Sequence, residues 1–483
     1  MSILIYLILG LLTSLLFPPY FFLPLGFIIF PLLCLLLDAN KKNYSDLNIF
    51  KNFYFFGFGF FISFLFWVKN PFFVFEDTKN FFLFFVLLII FLSFIFSLIF
   101  TIIFKISRNI PTIFLIPFMF TISEYIISLL FYGFPWFTFS LVISSNVYLL
   151  ILLKLFGTLI SSYLIIQIFC MPIIFLTELN LKKEFRYFLL FIFIPIFFLI
   201  ISNFNSDKNN SKSMTVNLEI FQLNFKNNDT SLTSDKKLSK IINHIEQSTA
   251  DLLIFGENNL PFFLDDLQVK VLRNSLRKNQ ILIIGATRFE NNKYYNSLIN
   301  VTSTQVTYFD KKILVPFGEF LPLRNLLTFL TSIVGPNNYS KGKIERIINL
   351  PNNISFIPVI CYEIVFYWKL LNKFNHKSNF IVNITNDFWF GDFLGPYQHF
   401  YLTKMRAAEF NKPIIRVSNN GISAFIDNNG RVIKNTKLNK TDKFKHKLLI
   451  QENNDFVNFH LIFKIYFLII FILITFNYLR KNA

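Results

Sequence analysis

Apolar positions along this chain follow two regimes. From Ile3 to about Phe204 they run in long blocks parted by short polar connections; beyond Ser213 they come in short β-rich runs alternating with helically spaced segments. The blocks approach the ~20 residues that cross a hydrocarbon core. They predict seven transmembrane helices at 3–17, 20–37, 52–68, 80–104, 111–132, 155–177 and 187–203, the first two parted by Pro18-Pro19. An eighth is predicted at 456–479. The first block has neither a basic leader nor a small-residue cleavage site, so it is expected to be retained. Residues 205–213, rich in Asn, Ser and Lys, read as a linker.

Between linker and last helix, residues 214–452 alternate in a way that predicts a layered α/β domain. Strands are expected at 216–223, 252–255, 281–287, 297–301, 305–309, 354–361, 380–384, 414–417 and 423–427. Helices are expected at 235–249, 265–278, from about 364, and at 397–410. The predicted fold class is therefore a polytopic α-helical membrane bundle of about eight helices carrying an α/β domain.

Charge orients this arrangement. The connections on one side carry Lys41, Lys42 and Lys51, then Lys105 and Arg108, then Lys182, Lys183 and Arg186, and finally Arg480 and Lys481. The other side has Lys69, Lys79 and Lys154, with Glu76 and Asp77 among them. The positive-inside rule then places residues 214–452 outside the cytoplasm. A net charge of +18 suits an anionic membrane surface, and no arginine-rich aromatic motif points to nucleic acid. Seventy phenylalanines beside abundant Ile, Asn and Lys reflect compositional drift, so no function is attached to single Phe residues.

Candidate chemistry lies where strands of the α/β domain end. Cys34 and Cys170 fall in apolar blocks, so a disulfide framework is not expected, whereas Cys361 closes the run Ile357-Pro-Val-Ile360. Glu257 follows Leu252-Leu-Ile-Phe-Gly256, and Lys311 follows Gln305-Val-Thr-Tyr-Phe-Asp310. Each alone also fits a solvated strand end; together they make a set for acyl transfer. A carboxylate relays protons, an ammonium stabilises a tetrahedral oxyanion, and a thiolate attacks carbonyl carbon. The main-chain N–H of Tyr362 can join the oxyanion site. His399 offers an alternative thiol partner. His244, His376, His446 and His460 are isolated, no pair has metal-ligand spacing, and neither metal nor cofactor is expected. In the bundle, Glu124 is the one acid inside a predicted span, and Gly133-Phe-Pro-Trp136 is a rigid turn with an interfacial ring.

These residues resemble the apolipoprotein N-acyltransferase family of the nitrilase superfamily. The likeness runs through Leu314-Val-Pro-Phe-Gly-Glu319, Cys361-Tyr-Glu363, Asn386-Asp-Phe-Trp-Phe-Gly391, Gly395-Pro-Tyr-Gln-His399, Met405-Arg-Ala-Ala-Glu409 and Ser418-Asn-Asn-Gly421. It implies an α-β-β-α sandwich on the periplasmic face of the bacterial inner membrane, with Glu257, Lys311 and Cys361 as catalytic triad. Glu319 and Glu363 would support Lys311 and the substrate, and Trp136, Asn386, Trp389, His399 and Asn420 would contact substrate. The implied partners are a phospholipid acyl donor such as phosphatidylethanolamine and a diacylglyceryl apolipoprotein acceptor, served by a monomer. Gly256 stands where relatives usually have proline, Tyr397 where tryptophan is expected, and no arginine follows Glu124. A membrane-tethered amidase and a non-catalytic lipid or lipoprotein binder are the alternative functions.

One apolar stretch stands outside these motifs: Phe320, Leu321, Leu323, Leu326, Leu327, Phe329, Leu330, Ile333 and Val334. It is expected to form either a core helix or an arm resting on the bilayer, with Phe388, Trp389 and Phe390 nearby.

Overall fold

The chain is seen in a computed structural model that describes residues 2–42, 45–130, 132–176, 213–226 and 232–451, with positions 465, 468, 469 and 472 beyond. The predicted spans 187–203 and 456–479 lie outside these stretches, apart from those last four positions, as does nearly all of the linker. Contacts divide the chain into two units: Met1–Phe66, Leu83–Asn210 and Val457–Ala483 form one, Trp67–Phe82 and Ser211–Phe456 the other.

In the first unit the apolar blocks form helices α1 (Ser2–Thr13), α2 (Gly26–Lys42), α3 (Asp46–Phe64), α4 (Leu83–Ser107), α5 (Thr112–Leu129) and α6 (Ile151–Cys170). Among the described residues four helical stretches are long and apolar enough to cross a membrane, and a fifth if α3 and the bent turn after it count as one. The first block gives a shorter helix than expected, because the chain tightens at Ser14–Leu16 before Pro18. Phenylalanines fill the interior: Phe120 meets Phe56, Phe96 and Phe139 edge-on at 5.6, 5.6 and 5.1 Å between ring centroids. Glu124 is satisfied locally, accepting from Thr138 Oγ1 at 2.6 Å and Phe139 N at 3.0 Å. Its carboxylate thereby pins the segment after the Gly133 turn to α5.

Two six-stranded sheets make the second unit. The first runs β12-β1-β2-β3-β4-β5 and the second β11-β10-β9-β8-β7-β6. Their strands are β1 (Ser213–Gln222), β2 (Leu252–Phe255), β3 (Ile281–Glu290), β4 (Lys293–Val301), β5 (Val306–Asp310), β6 (Ile348–Leu350), β7 (Ile354–Ile360), β8 (Phe380–Thr385), β9 (Ile414–Ser418), β10 (Ala424–Ile426), β11 (Val432–Asn435) and β12 (Asp442–Gln451). Each sheet has a parallel centre, β1-β2-β3 and β7-β8-β9, flanked by antiparallel strands. Central strands β2, β8 and β9 are buried at every position because both faces are covered. The sheets face each other, β2 against β9 and β4 against β7. Helices α7 (Ser234–Gln247) and α8 (Asp266–Ser275) bury Ile241, Ile245 and Leu272 on the outer face of the first sheet. Helix α9 (Leu394–Phe410) packs on β9 and on the turn after β7. This is an α-β-β-α sandwich.

Three strands are additions to the sequence reading: β6, β11 and β12. The helix expected from 364 is only a tight turn at Cys361–Val365 and one helical turn at Tyr367–Leu370. The 320–334 stretch is not a continuous core helix either: short turns occupy Thr328–Val334, Leu321 is buried, and Leu323 and Leu326 stand 70% and 73% exposed.

Candidate active site

Parallel strands bring their carboxyl ends to one edge, where the chain must turn and side chains can converge. Glu257 leaves β2, Cys361 leaves β7, Asp387 follows β8 and Lys311 leaves β5. At Cys361 the turn is abrupt: its φ is +49°, a left-handed conformation that costs a residue with a Cβ about 1 kcal/mol. Neighbouring bonds hold it there. Gly256, at the strand exit before Glu257, is crowded as well, since a Cβ there would come 2.9 Å from the Asn419 main-chain nitrogen. Its own N–H donates to Asn259 Oδ1 at 2.8 Å.

Lys311 is the hub. Its Nζ lies 2.9 Å from Glu319 Oε1 and 3.6 Å from Glu257 Oε1, with the lysine and Glu257 both buried. Asn296, on β4, donates its amide to both carboxylates at 2.8 Å, and its main-chain carbonyl accepts from Lys311 N at 2.8 Å. Glu319 also accepts from Val315 N at 2.8 Å. The Cys361 thiol is coupled electrostatically to both Glu257 and Lys311. Sulfur, amine and carboxylate, separated by 50 residues or more along the chain, therefore meet in one buried cluster.

Burial sets the protonation pattern. It pushes the Cys361 thiol well up, and the charge of Glu257 adds to that more than Lys311 relieves it. Burial likewise raises Glu257, reinforced by Glu319 and opposed by Lys311, Asn296 and Cys361. For Lys311, burial works against the ammonium, but Glu319 and Glu257 together outweigh it and the amine stays charged. The resting sulfur is thus a thiol, and a base close to it must take the proton as it attacks.

The other expected site residues fall behind or beside this cluster. Glu363 is fully buried and turned inward: it accepts from Ile360 N at 2.9 Å, Lys312 N at 2.8 Å and Ile313 N at 3.1 Å, and pairs with Arg346 at 2.7 and 2.8 Å. It braces the turn after β7 against the Lys311 loop, which differs from a substrate contact. His399 is fully buried too, with Nδ1 2.8 Å from Asp387 Oδ1. It sits on α9, which packs on the Cys361 turn. Asp387 also takes Arg416 Nη2 at 2.6 Å and Thr385 Oγ1 at 3.0 Å. Burial opposes its charge, but Arg416 and His399 hold its carboxyl well below the usual carboxylate range.

Tyr362 is buried with its ring edge-on to Phe366 at 5.1 Å. Asn386 caps the turn at Asp387–Phe390 through Phe388 N. Trp389 is half-buried beside Phe388 and Phe75. Asn420 bonds Asn439 at 3.1 Å. Trp136 is fully buried and belongs to the other unit. Asn296, Arg346, Asp387 and Arg416 were not singled out from sequence; Asn296 is brought to the site by strand register, Ser297 opposing Asp310 across β4 and β5.

The two-sheet sandwich is of the carbon-nitrogen hydrolase class: residues 220–451 match the family model described as carbon-nitrogen hydrolase. Residues 9–171 match the model for the apolipoprotein N-acyltransferase N-terminal domain. A curated apolipoprotein N-acyltransferase from Rickettsia prowazekii is 28% identical over 90% of this chain and 90% of its own length. The enzyme of the same name from Allorhizobium ampelinum is 36% identical over 42% of this chain and 41% of its own. For such first relatives the chain thus spans about two fifths of their length. Among solved structures, a CN-hydrolase superfamily protein from Xanthomonas campestris aligns with TM-score 0.37 and 15% identity, covering 49% of this chain and 91% of that one. The chain thus carries an apolipoprotein N-acyltransferase N-terminal domain and a carbon-nitrogen hydrolase domain, and it is a membrane protein.

Proposed function

We propose that the protein moves an acyl chain from a phospholipid to the α-amino group of a lipoprotein's diacylglyceryl-cysteine, through a thioester on Cys361. The observation that carries this reading is the buried Cys361 thiol coupled electrostatically to Glu257 and to the charged Lys311. In the first half-reaction Glu257 takes the thiol proton as sulfur attacks the ester carbonyl. Lys311 and the Tyr362 N–H stabilise the oxyanion. The C–O bond then breaks, and the leaving lysophospholipid oxygen collects the proton from Glu257. In the second, the amine attacks the thioester and gives a proton to Glu257; the C–S bond breaks, the sulfur recovers that proton, and an amide remains. An α-amine with a pKa near ~8 is partly neutral at pH 7, so modest base assistance is enough.

Exposed Phe317, Leu323 and Leu326 support a lipid substrate, since such residues guide acyl chains and keep water from the thioester. In this reading the α/β unit works on the periplasmic face of the inner membrane, and phosphatidylethanolamine is a suitable donor. The test is to incubate purified protein with phosphatidylethanolamine and weigh the Cys361 peptide. A fatty-acyl increment is expected, absent in Cys361→Ala and discharged by a diacylglyceryl peptide that becomes N-acylated. Release of free fatty acid with no acylated peptide would reject transfer in favour of hydrolysis.

A further inference from the structure

The connection between α3 and α4 leaves the bundle in sequence but groups with the sandwich: Trp67–Phe82 belongs to the second unit. Its first residues grip the segment that follows β8. Trp67 is buried and its Nε1 donates to the buried Gln398 Oε1 at 2.9 Å. Its ring meets Phe390 edge-on at 4.8 Å. Asn70 Nδ2 donates to the Phe390 carbonyl at 2.9 Å. Gly391, with φ of +74°, makes room for that amide: a Cβ there would lie 2.1 Å from Asn70 Nδ2.

From Phe390 the contacts run straight to the nucleophile. The Phe390 ring stands at 90° to the His399 ring, 5.2 Å between centroids. His399 is held by Asp387 through Nδ1, 2.8 Å from Asp387 Oδ1. Helix α9, which carries Gln398 and His399, packs directly on the Cys361 turn. A nucleophile with a left-handed backbone keeps its aim only if its surroundings over-determine it.

We propose that Trp67 is a positioning residue for the active site: through Gln398 and Phe390 it braces His399 and helix α9, and through the packing of α9 it fixes the Cys361 turn. The α3–α4 connection is thereby a working part of the catalytic unit. This rests on Cys361 being the nucleophile of the reading above.

The experiment uses the full chain in detergent, as wild type, Trp67→Phe, Trp67→Ala and Asn70→Ala. One arm measures alkylation of Cys361 by iodoacetamide, read by mass spectrometry of its peptide; this needs no assumption about substrate. The other measures thioester formation from phosphatidylethanolamine. Trp67→Ala is expected to slow both by about tenfold, with the phospholipid KM and the unfolding midpoint near wild type. Trp67→Phe keeps a ring against Phe390 and is expected to lose less. A folded Trp67→Ala with both rates within about twofold of wild type would overturn the proposal. If Trp67→Ala does not fold, wild-type alkylation in both Trp67→Phe and Asn70→Ala overturns it. Slowed alkylation in a protein that forms no thioester even as wild type supports the brace and removes the transferase reading alone.

Discussion

Asn296 shows how a neutral residue governs charged ones. Two carboxylates share a single lysine, and the two N–H bonds of one amide go to Glu257 and Glu319, 2.8 Å each. Without that amide the carboxylates would face each other across Lys311 with one donor fewer, and Glu257 would hold its proton more tightly. Glu257 must be ionised to accept the thiol proton, so activity is present above its pKa and lost as pH falls through it. Burial already moves that limb above the ordinary glutamate value. Asn296→Leu, close in volume, is expected to move the acid limb of kcat/KM to still higher pH while kcat at the alkaline plateau falls less; a pH profile of thioester formation checks this. An unshifted limb would mean the amide only fills space. Sequence could offer the strand ends of Glu257, Lys311 and Cys361, because apolar runs closing on one polar residue are visible without coordinates. It could not offer Asn296, whose importance comes from strand register.

At the scale of elements, the turn after β7 is secured by a carboxylate whose partners come from three places. Glu363 takes N–H groups of Ile360, Lys312 and Ile313 and the guanidinium of Arg346. Burial would raise its pKa, yet Arg346 and the Ile360 N–H bring it below the ordinary value. A depressed carboxylate stabilises the fold fully above its unfolded pKa of ~4.3, and that contribution fades as pH falls through the folded value. Arg346→Ala leaves the charge buried without its guanidinium and is expected to cost about 3–5 kcal/mol, with acid unfolding beginning at higher pH. Chemical denaturation at pH 7 and pH 5 measures both. If the loss at pH 7 is under about 1 kcal/mol, the pair is not what holds the turn. The same scale separates what was legible. Strand β2 reads as an apolar run, whereas β12 (Asp442–Gln451) pairs with β1 along ten positions but has lysine at 443, 445 and 447, which breaks the apolar run that would mark a strand. The inward-facing Asp387 and Arg416 were equally hidden, because charged groups are rarely buried unless paired and sequence does not show the pairing.

For the whole molecule, the decisive quantity is which side of the bilayer receives the α/β unit. Lysines and arginines crowd one set of connections, and moving such a loop across the membrane is opposed at each charge. The substrates of the proposed reaction impose the same requirement independently, since a lipoprotein amine outside the cytoplasm can be reached only from that side. Single-cysteine labelling separates orientation from activity. Lys293, at the start of β4, and Lys51, in α3, are both exposed, while Cys34, Cys170 and Cys361 are buried and supply a low background. With a membrane-impermeant maleimide on intact spheroplasts, Lys293→Cys is expected to label at once and Lys51→Cys only after lysis. The reverse pattern would place the thiol, the lysine and the carboxylate on the cytoplasmic side, and the lipoprotein substrate would have to be given up even if Cys361 still formed a thioester.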